Sequence, residues 1–370
     1  MRLRDGLAGA ATALRRRSLA TSTRALLVET AAAELKARRS RSGATRAPHD
    51  APFSPTVPPP HPVDIVYTWV DDSDPAWRTD LAAARRCAGE PVSRFDDAAR
   101  FRGYDELRYS LRTLASRAPW FRRVYIVTAS QAPSWLVEDD RLHVVEHREI
   151  LAPTALPTFN SHAIESSLHH IPGLARHFVY FNDDMLVGRH VDWTLFFDDE
   201  TMRPAVFPGD ALPPDCDRAD AGMYQASRTT NDIVERLTGV CDGRMLHHAP
   251  YASDRETLLE LEVLLAPNFS ATAGHRFRHV DDLSVAASLA PRYGLACGTA
   301  VERHPAVEYV SLAHPLAATR MRRIWRTGRF DLYCLNSTER DPADGLDPRW
   351  MRRWLERLAP EPSPWERDRA

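Results

Sequence analysis

Lysine is almost missing from this chain. Of 48 basic residues only Lys36 is a lysine; the arginines that make up the rest face 50 acidic residues, for a formal charge of −2. With neither sign in excess there is no global attraction to nucleic acid or to a charged surface, so electrostatic recognition has to be local. Cysteine is sparse too. Five are scattered through 370 residues, at 87, 216, 241, 297 and 334, without a C-x-x-C pair. That pattern supports neither a disulfide framework nor a zinc ribbon and points to a reducing compartment. No stretch approaches the ~18 consecutive apolar residues of a membrane span, and the first residues lack the apolar centre of a secretory signal. The expectation from these absences is a cytoplasmic protein.

What is present falls into three parts. Residues 1–61 run from an arginine- and alanine-rich arm into SPTVPPPHP, a proline linker without regular pairing. Residues 62–338 have the texture of one large domain, and residues 339–370 form a helix and tail. IVYTWV (65–70), RVYIVT (123–128), LHVVEH (142–147) and HFVYF (177–181) are β-branched and aromatic runs, the mark of buried strands. Between them, 105–120 has leucines at 107, 111 and 114 with Asp105 as N-cap, and SHAIESSLHHIPG (161–173) predicts a second helix closed by proline and glycine. Further helices are expected over 253–265, with Ser253 and Glu256 as a capping box, and over 280–290, with Asp281 and Asp282 in its first turn and Pro291 as its stop. Strands alternating with helices argue for a mostly parallel sheet.

In such sheets ligands bind beyond the carboxyl ends of the strands. Two acidic clusters fall there: Asp71, Asp72 and Asp74 after the first strand, and Asn182, Asp183 and Asp184 after HFVYF. Adjacent carboxylates cannot both be buried unpaired, because desolvation costs several kcal/mol or more per charge. A hard divalent ion shared with a phosphate meets that demand; a solvated turn capped by aspartates is the plainer alternative. Arg100, Arg102, Arg108 and Arg112 surround the start of the 105–120 helix, where guanidinium groups and helix amides suit an anion, although such a stripe also makes an ordinary solvated face. His248 in HHAPYASDR offers a base near neutral pH. The basic run RMRRIWRTGR (320–329) and the tail from Trp350 each suit packing on the core or a peripheral membrane contact, and the basic run also suits an anionic polymer.

Longer motifs narrow the choice. RFRGYDELRYSLRTLASRAPWFRRVYIVTASQAPSWL and LPTFNSHAIESSLHHIPGLARHFVYFNDDMLVG resemble the second conserved block of the Stealth family of sugar-phosphate transferases, related to the catalytic core of N-acetylglucosamine-1-phosphotransferase. DIVYTWVDDSDP is similar to the first block, HHAPYASDR with FRHVDDLSV to the third, and LYCLNS to the fourth. The resemblance implies an α/β, Rossmann-like fold of the nucleotide-sugar-transferase type, with a mostly parallel sheet flanked by helices and a more helical C-terminal half. It implies transfer of a sugar 1-phosphate from a nucleotide-diphosphate sugar to a hydroxyl of a polysaccharide or lipid-linked glycan, aided by Mg²⁺ or Mn²⁺; a peripheral place at the inner face of the membrane is an expectation from the tail alone. Nucleic acid has no part in it.

By the same resemblance Asp183 and Asp184 hold the metal, Asn182 orients them, and His248 and Arg278 act at the reacting centre. Asp71, Asp74, Arg102, Asp105, Arg108, Asn160, His162 and Glu165 line the substrate cleft. The chain departs from the pattern in VDDSDP, where Asn-Gly is commoner, and in CLNS, where Ser337 replaces the usual acid. A metal-dependent glycosyltransferase and a non-catalytic family member stay open as alternatives.

Overall fold

The computed structural model describes residues 57–88, 103–212, 222–312, 314–336 and 346–367, all within one compact unit, Pro52–Ala370. The arginine-rich arm, Arg102 and Ser337 lie outside the described residues.

The central sheet is built from β1 (Val63–Thr68), β2 (Val124–Thr128), β3 (Leu142–Glu146), β4 (His177–Asn182) and a fifth strand introduced below. β1 pairs in parallel with β2 on one side and with β4 on the other, and β3 lies outside β2. Every residue of β2, and all but the last of β1 and of β4, is buried. A parallel sheet covered on both faces needs such continuous apolar strands rather than alternating ones. Because the chain passes from β1 outward to β2 and β3 and then returns to β4 on the far side of β1, the loops leaving β1 and β4 diverge. That divergence opens the crevice in which α/β sheets bind ligands.

α1 (Pro75–Ala88) follows β1, and α2 (Glu106–Arg117) precedes β2. α2 is buried on all sides from Glu106 to Leu114. Leu107, Leu111 and Leu114 face the main core, and Tyr109 belongs to a second apolar cluster. Its polar residues are held from within: Ser110 Oγ pairs with the Tyr67 hydroxyl at 2.8 Å, and Thr113 Oγ1 accepts from Val187 N at 3.1 Å. That last contact docks α2 on β5 (Met185–Val187).

After α3 (Gly222–Thr238) comes the fifth strand of the central sheet, β6 (Tyr251–Asp254), antiparallel to β4. It leads into α4 (Arg255–Leu264), α5 (Ala266–Gly274) and α6 (Ala290–Cys297). Three expectations are corrected here. Ser253 lies in β6 and forms no capping box; Asp254 caps α4 by accepting from Glu256 N. Asp281 and Asp282 precede the helical stretch, which starts late as a π-helix, Val285–Leu289, and continues into α6, with Pro291 in the first turn of α6 rather than ending a helix. A proline at the first turn costs nothing because its missing N–H has no helical partner there. The 161–173 helix breaks into a short helix, Ser161–Glu165, and a 3₁₀ turn, Leu168–His170.

The second cluster is roofed by α7 (Ala317–Thr327) and α8 (Pro348–Leu358). It rests on a small sheet in which β7 (Val307–Ser311) runs parallel to β8 (Leu332–Asn336), and β8 runs antiparallel to β5. Met351, Trp354, Leu355 and Leu358 of α8 are buried, so the apolar stripe of the tail packs on the core.

Candidate active site

At the switch point β1 and β4 end together, with Thr68 opposite Asn182. Asn182, Asp183 and Asp184 therefore emerge beside the loop that carries Asp71 and Asp74, each keeping only part of its surface exposed. The tight connection from β4 into β5 turns the two aspartates inward, and β8, pairing with β5, covers them from the other side.

The electrostatics there are lopsided. Burial raises the carboxyl of Asp183, and burial together with the charge of Asp183 raises that of Asp184, despite hydrogen bonds from Cys334 and Asn336 of β8. A third carboxyl joins them. Glu106, at the first position of α2, is pushed up to about 8 by burial and then by Asp183 and Asp184. Its Oε2 accepts from Tyr104 N. Asp184 Oδ1 is buried without a hydrogen-bond partner. Buried carboxyls beside an unsatisfied oxygen, Asp184 Oδ1, carry charge that a cation would offset, and carboxylate oxygens suit Mg²⁺ or Mn²⁺. The ligating atoms of Asp184, His248 and Cys334 also lie within 4.8 Å of one another, a second way in which Asp184 can share an ion.

Facing the acids is a polar chain of side chains. Thr68 Oγ1 pairs with the Tyr180 hydroxyl at 3.0 Å, which donates to Asn182 Oδ1 at 2.8 Å. Asn182 Nδ2 reaches His248 Nε2 at 3.4 Å, and His248 Nδ1 pairs with the Tyr251 hydroxyl at 2.9 Å. An amide N–H aimed at Nε2 selects the tautomer with its proton on Nδ1, toward the Tyr251 hydroxyl, and sets the Nε2 lone pair against the Asn182 amide across a long contact. Burial, and then the Arg278 guanidinium, lower His248 to about 4, leaving it neutral at physiological pH. Arg278 donates to Ser161 Oγ and acts on Glu165, which burial raises to about 7 against the pull of Arg278 and a hydrogen bond with Tyr180. His162, Gln225, His279 and Asp282 line a cleft beside Arg278.

Asn182, Asp183 and Asp184 thus lie with His248 at one end of the crevice, and Arg278 acts on both His248 and Glu165 beside them. Several other candidates have different surroundings. Asn160 is fully buried: its side chain accepts from His162 N and donates to His275 O, Phe277 O and Asp282 Oδ2. It holds the cleft wall and offers nothing to a ligand. His162 lies 3.5 Å from Asp282. Asp71 accepts from Ser73, and Asp74 caps α1 through Ala76 N while accepting from Gln131. Both shape the loop beside Asn182.

Asp105 does not cap α2 with its side chain; it sits at φ 73°, a left-handed conformation unusual for a residue other than glycine, and accepts from Trp135 Nε1. Arg108 is not open to a phosphate. It and Arg112 are clamped by Glu366 of the C-terminal tail, through Arg108 Nε to Oε2 and through Arg112 Nε and Nη2 at 2.7 Å each.

Burial favours protonation of Glu366, but hydrogen bonds from Arg112, Ser363 N and Arg108 overrule it and hold the carboxyl at about 2. Glu366→Ala is expected to cost about 3–5 kcal/mol, because two nearly buried guanidinium groups lose their counter-ion. In the parent this contribution is complete above the unfolded carboxyl value near 4.3 and fades as pH falls toward 2. Urea denaturation of both proteins at pH 7 and pH 3 measures it; equal stability at pH 7 rules out the clamp.

Glu106 was not among the residues singled out from sequence. In DELRYSLR it looks like an acid complementing the N-terminus of a helix, and only the fold shows it turned onto Asp183. If it shares the cation, Glu106→Gln lowers turnover by about 10² and raises the Mg²⁺ concentration needed for half-maximal rate. An unchanged Mg²⁺ titration excludes that role.

Fold and site together define an α/β protein whose switch-point crevice sets an acidic, cation-demanding wall against a neutral histidine and an arginine. The match to family models is of the same scope. Conserved region 1 of Stealth proteins matches residues 61–86, conserved region 2 residues 100–204 and conserved region 3 residues 247–290. An exopolysaccharide phosphotransferase of Streptomyces coelicolor is 40% identical over 347 residues, 90% of this chain and 57% of that protein. The exopolysaccharide phosphotransferase CpsY of Mycobacterium tuberculosis is 36% identical over 314 residues, 82% of this chain and 58% of that one. The chain belongs to the Stealth family. It spans a little over half the length of these curated relatives. Among solved structures, the galactosyltransferase LgtC overlays on 80% of this chain and 95% of its own at 10% identity with a TM-score of 0.36, too loosely to speak to substrate.

Proposed function

We propose that the chain transfers a sugar 1-phosphate from a nucleotide-diphosphate sugar to a hydroxyl of a glycan acceptor, in the synthesis of an exopolysaccharide or related cell-envelope polymer. The observation that carries this reading is the facing of Glu106, Asp183 and Asp184 by His248 and Arg278 across one crevice. The names of the relatives support the same class of reaction. Residues 62–338 are the catalytic domain in this reading, and the nucleotide-sugar donor places the reaction in the cytoplasm.

Asp183, Asp184 and Glu106 would hold Mg²⁺ or Mn²⁺, which supplies charge neutralisation to the donor pyrophosphate. Arg278 binds a phosphoryl oxygen as negative charge develops on it. His248 Nε2 takes the proton of the acceptor hydroxyl as that hydroxyl displaces the long contact from the Asn182 amide, with Tyr251 holding Nδ1. The acceptor oxygen forms its bond to the sugar-proximal phosphorus as the bond from that phosphorus to the nucleoside monophosphate breaks. The product is a phosphodiester. Asp71, Asp74 and His162 line the donor side of the cleft, and Glu165 keeps Arg278 in place.

Chromatography of the released nucleotide tests this directly. With a panel of UDP-, GDP- and CDP-sugars, Mg²⁺ and an acceptor, monophosphate is expected. Release of diphosphate would mean that the sugar alone is transferred and that the protein is a glycosyltransferase.

A further inference from the structure

α7 and α8 pack side by side and bury their apolar faces, with Trp354 Nε1 of α8 donating to Met321 O of α7 at 3.1 Å. Their outer faces are strongly basic. α7 contains four arginines and no acid, with Arg322, Trp325 and Arg326 exposed along one stripe opposite the buried Met321 and Ile324. On α8, Arg349, Arg353 and Arg357 form an exposed row, Arg352 stands next to it, and Glu356 is the one acid in the helix. The Arg322 guanidinium lies 5.7 Å above the Trp350 ring and joins the two faces. Asp347, at the start of α8, turns its carboxylate to Arg349 N as the helix cap. In a chain of net charge −2 this is a local concentration of positive charge. Trp325 is 48% exposed in the middle of it.

We propose that this face docks the protein on an anionic lipid bilayer. Arginines in a flat array complement lipid phosphates, each worth about 1 kcal/mol near such a surface. An indole standing out among them belongs at the depth of the headgroups, where its apolar body and polar N–H are both accommodated. The face is also tied to the crevice. β8 sends Cys334 toward Asp184 and, by strand alternation, Tyr333 and Leu335 into the cluster beneath α7 and α8. Docking there would hold the crevice next to the bilayer surface, within reach of an acceptor anchored in it.

The test is sedimentation of the full chain with vesicles of phosphatidylcholine alone or with roughly 30% phosphatidylglycerol. Binding is expected only to the anionic vesicles, and it is lost in about 0.5 M salt as screening shortens. Replacing Arg326, Arg353 and Arg357 together with glutamine weakens binding about a hundredfold, since each arginine contributes about fivefold. Trp325→Ala weakens it at least about threefold without changing the salt dependence. Thermal unfolding of each variant checks the fold; if the triple variant does not fold, the single Arg353→Gln has to show the fivefold loss. The proposal is overturned if anionic vesicles leave the protein in the supernatant or if the arginine variants bind as the parent does. It is equally overturned if soluble dextran sulfate is bound while vesicles are not, which would assign the face to a polymer.

Discussion

Asp184→Asn abolishes transfer, lowering turnover by at least about a thousandfold, yet in the absence of a divalent ion the variant is as stable as the parent at pH 8 or more stable. The two halves of this result have one cause. The carboxyls of Asp183, Asp184 and Glu106 all have folded values raised by burial, and the charge of Asp183 raises Asp184 and Glu106 further. A raised acid holds its proton in the folded protein after the unfolded chain has lost it. Stability therefore falls as pH climbs from about 4 toward the raised values, because the folded state binds more protons over that window. Asparagine removes one charge from the cluster and part of that penalty.

Calorimetry of both proteins with chelator at pH 5.5 and pH 8 measures the effect. The parent is expected to lose more stability over that interval than the variant, and Mg²⁺ to restore more of it at pH 8. A variant that keeps its activity removes Asp184 from the site. One that unfolds more readily than the parent at pH 8 assigns the carboxylate a structural role instead.

His248→Ala is the second large effect, a fall of about 10² to 10⁴ in kcat with little change in KM for the donor. The histidine lies nearest the proposed acceptor proton and makes no contact that donor binding requires. Burial and Arg278 put its folded value at about 4, so the base is already unprotonated across the physiological range. The acid limb that it imposes on the rate profile falls well below 6.5, in contrast to a solvated histidine. Stability moves with the same sign. The unfolded chain takes up a proton below about 6.5 that the buried ring refuses, so this residue costs stability as pH falls from 6.5 toward 4. His248→Ala relieves that cost. An acid limb unchanged in position and kcat within a few fold of the parent would assign proton transfer to another group.

The strands that frame the crevice were legible because a parallel sheet covered on both faces writes itself as unbroken apolar runs; HFVYF running into NDD is the clearest case. The aspartates and His248 could be named through the Stealth-like motifs around them, since an NDD turn or a loop histidine taken alone has an ordinary solvated explanation. Glu106 could not, since an acid in the first turn of a helix already has a sufficient local reason to be there. Arg108 and Arg112 misled for the opposite reason. Their partner, Glu366, lies at the far end of the chain in a tail that looks solvated, and no local pattern shows that it folds back over α2. The expected 280–290 helix starts only at Val285, because Asp282 is not a capping residue at all. It is the buried acceptor for Asn160, His275 and His279, and a partner as distant in sequence as Asn160 leaves no periodic trace.

The pairing of β8 with β5 also gives the acidic wall a remote hold. Met185 stands opposite Cys334, and Leu335 N donates to Asp184 O at 3.0 Å, so the backbone of one aspartate is fixed by a strand far along the chain from it. The same strand brings Cys334 and Asn336 onto the Asp184 carboxyl. A change that loosens the seating of β8 therefore reaches the acids without touching them.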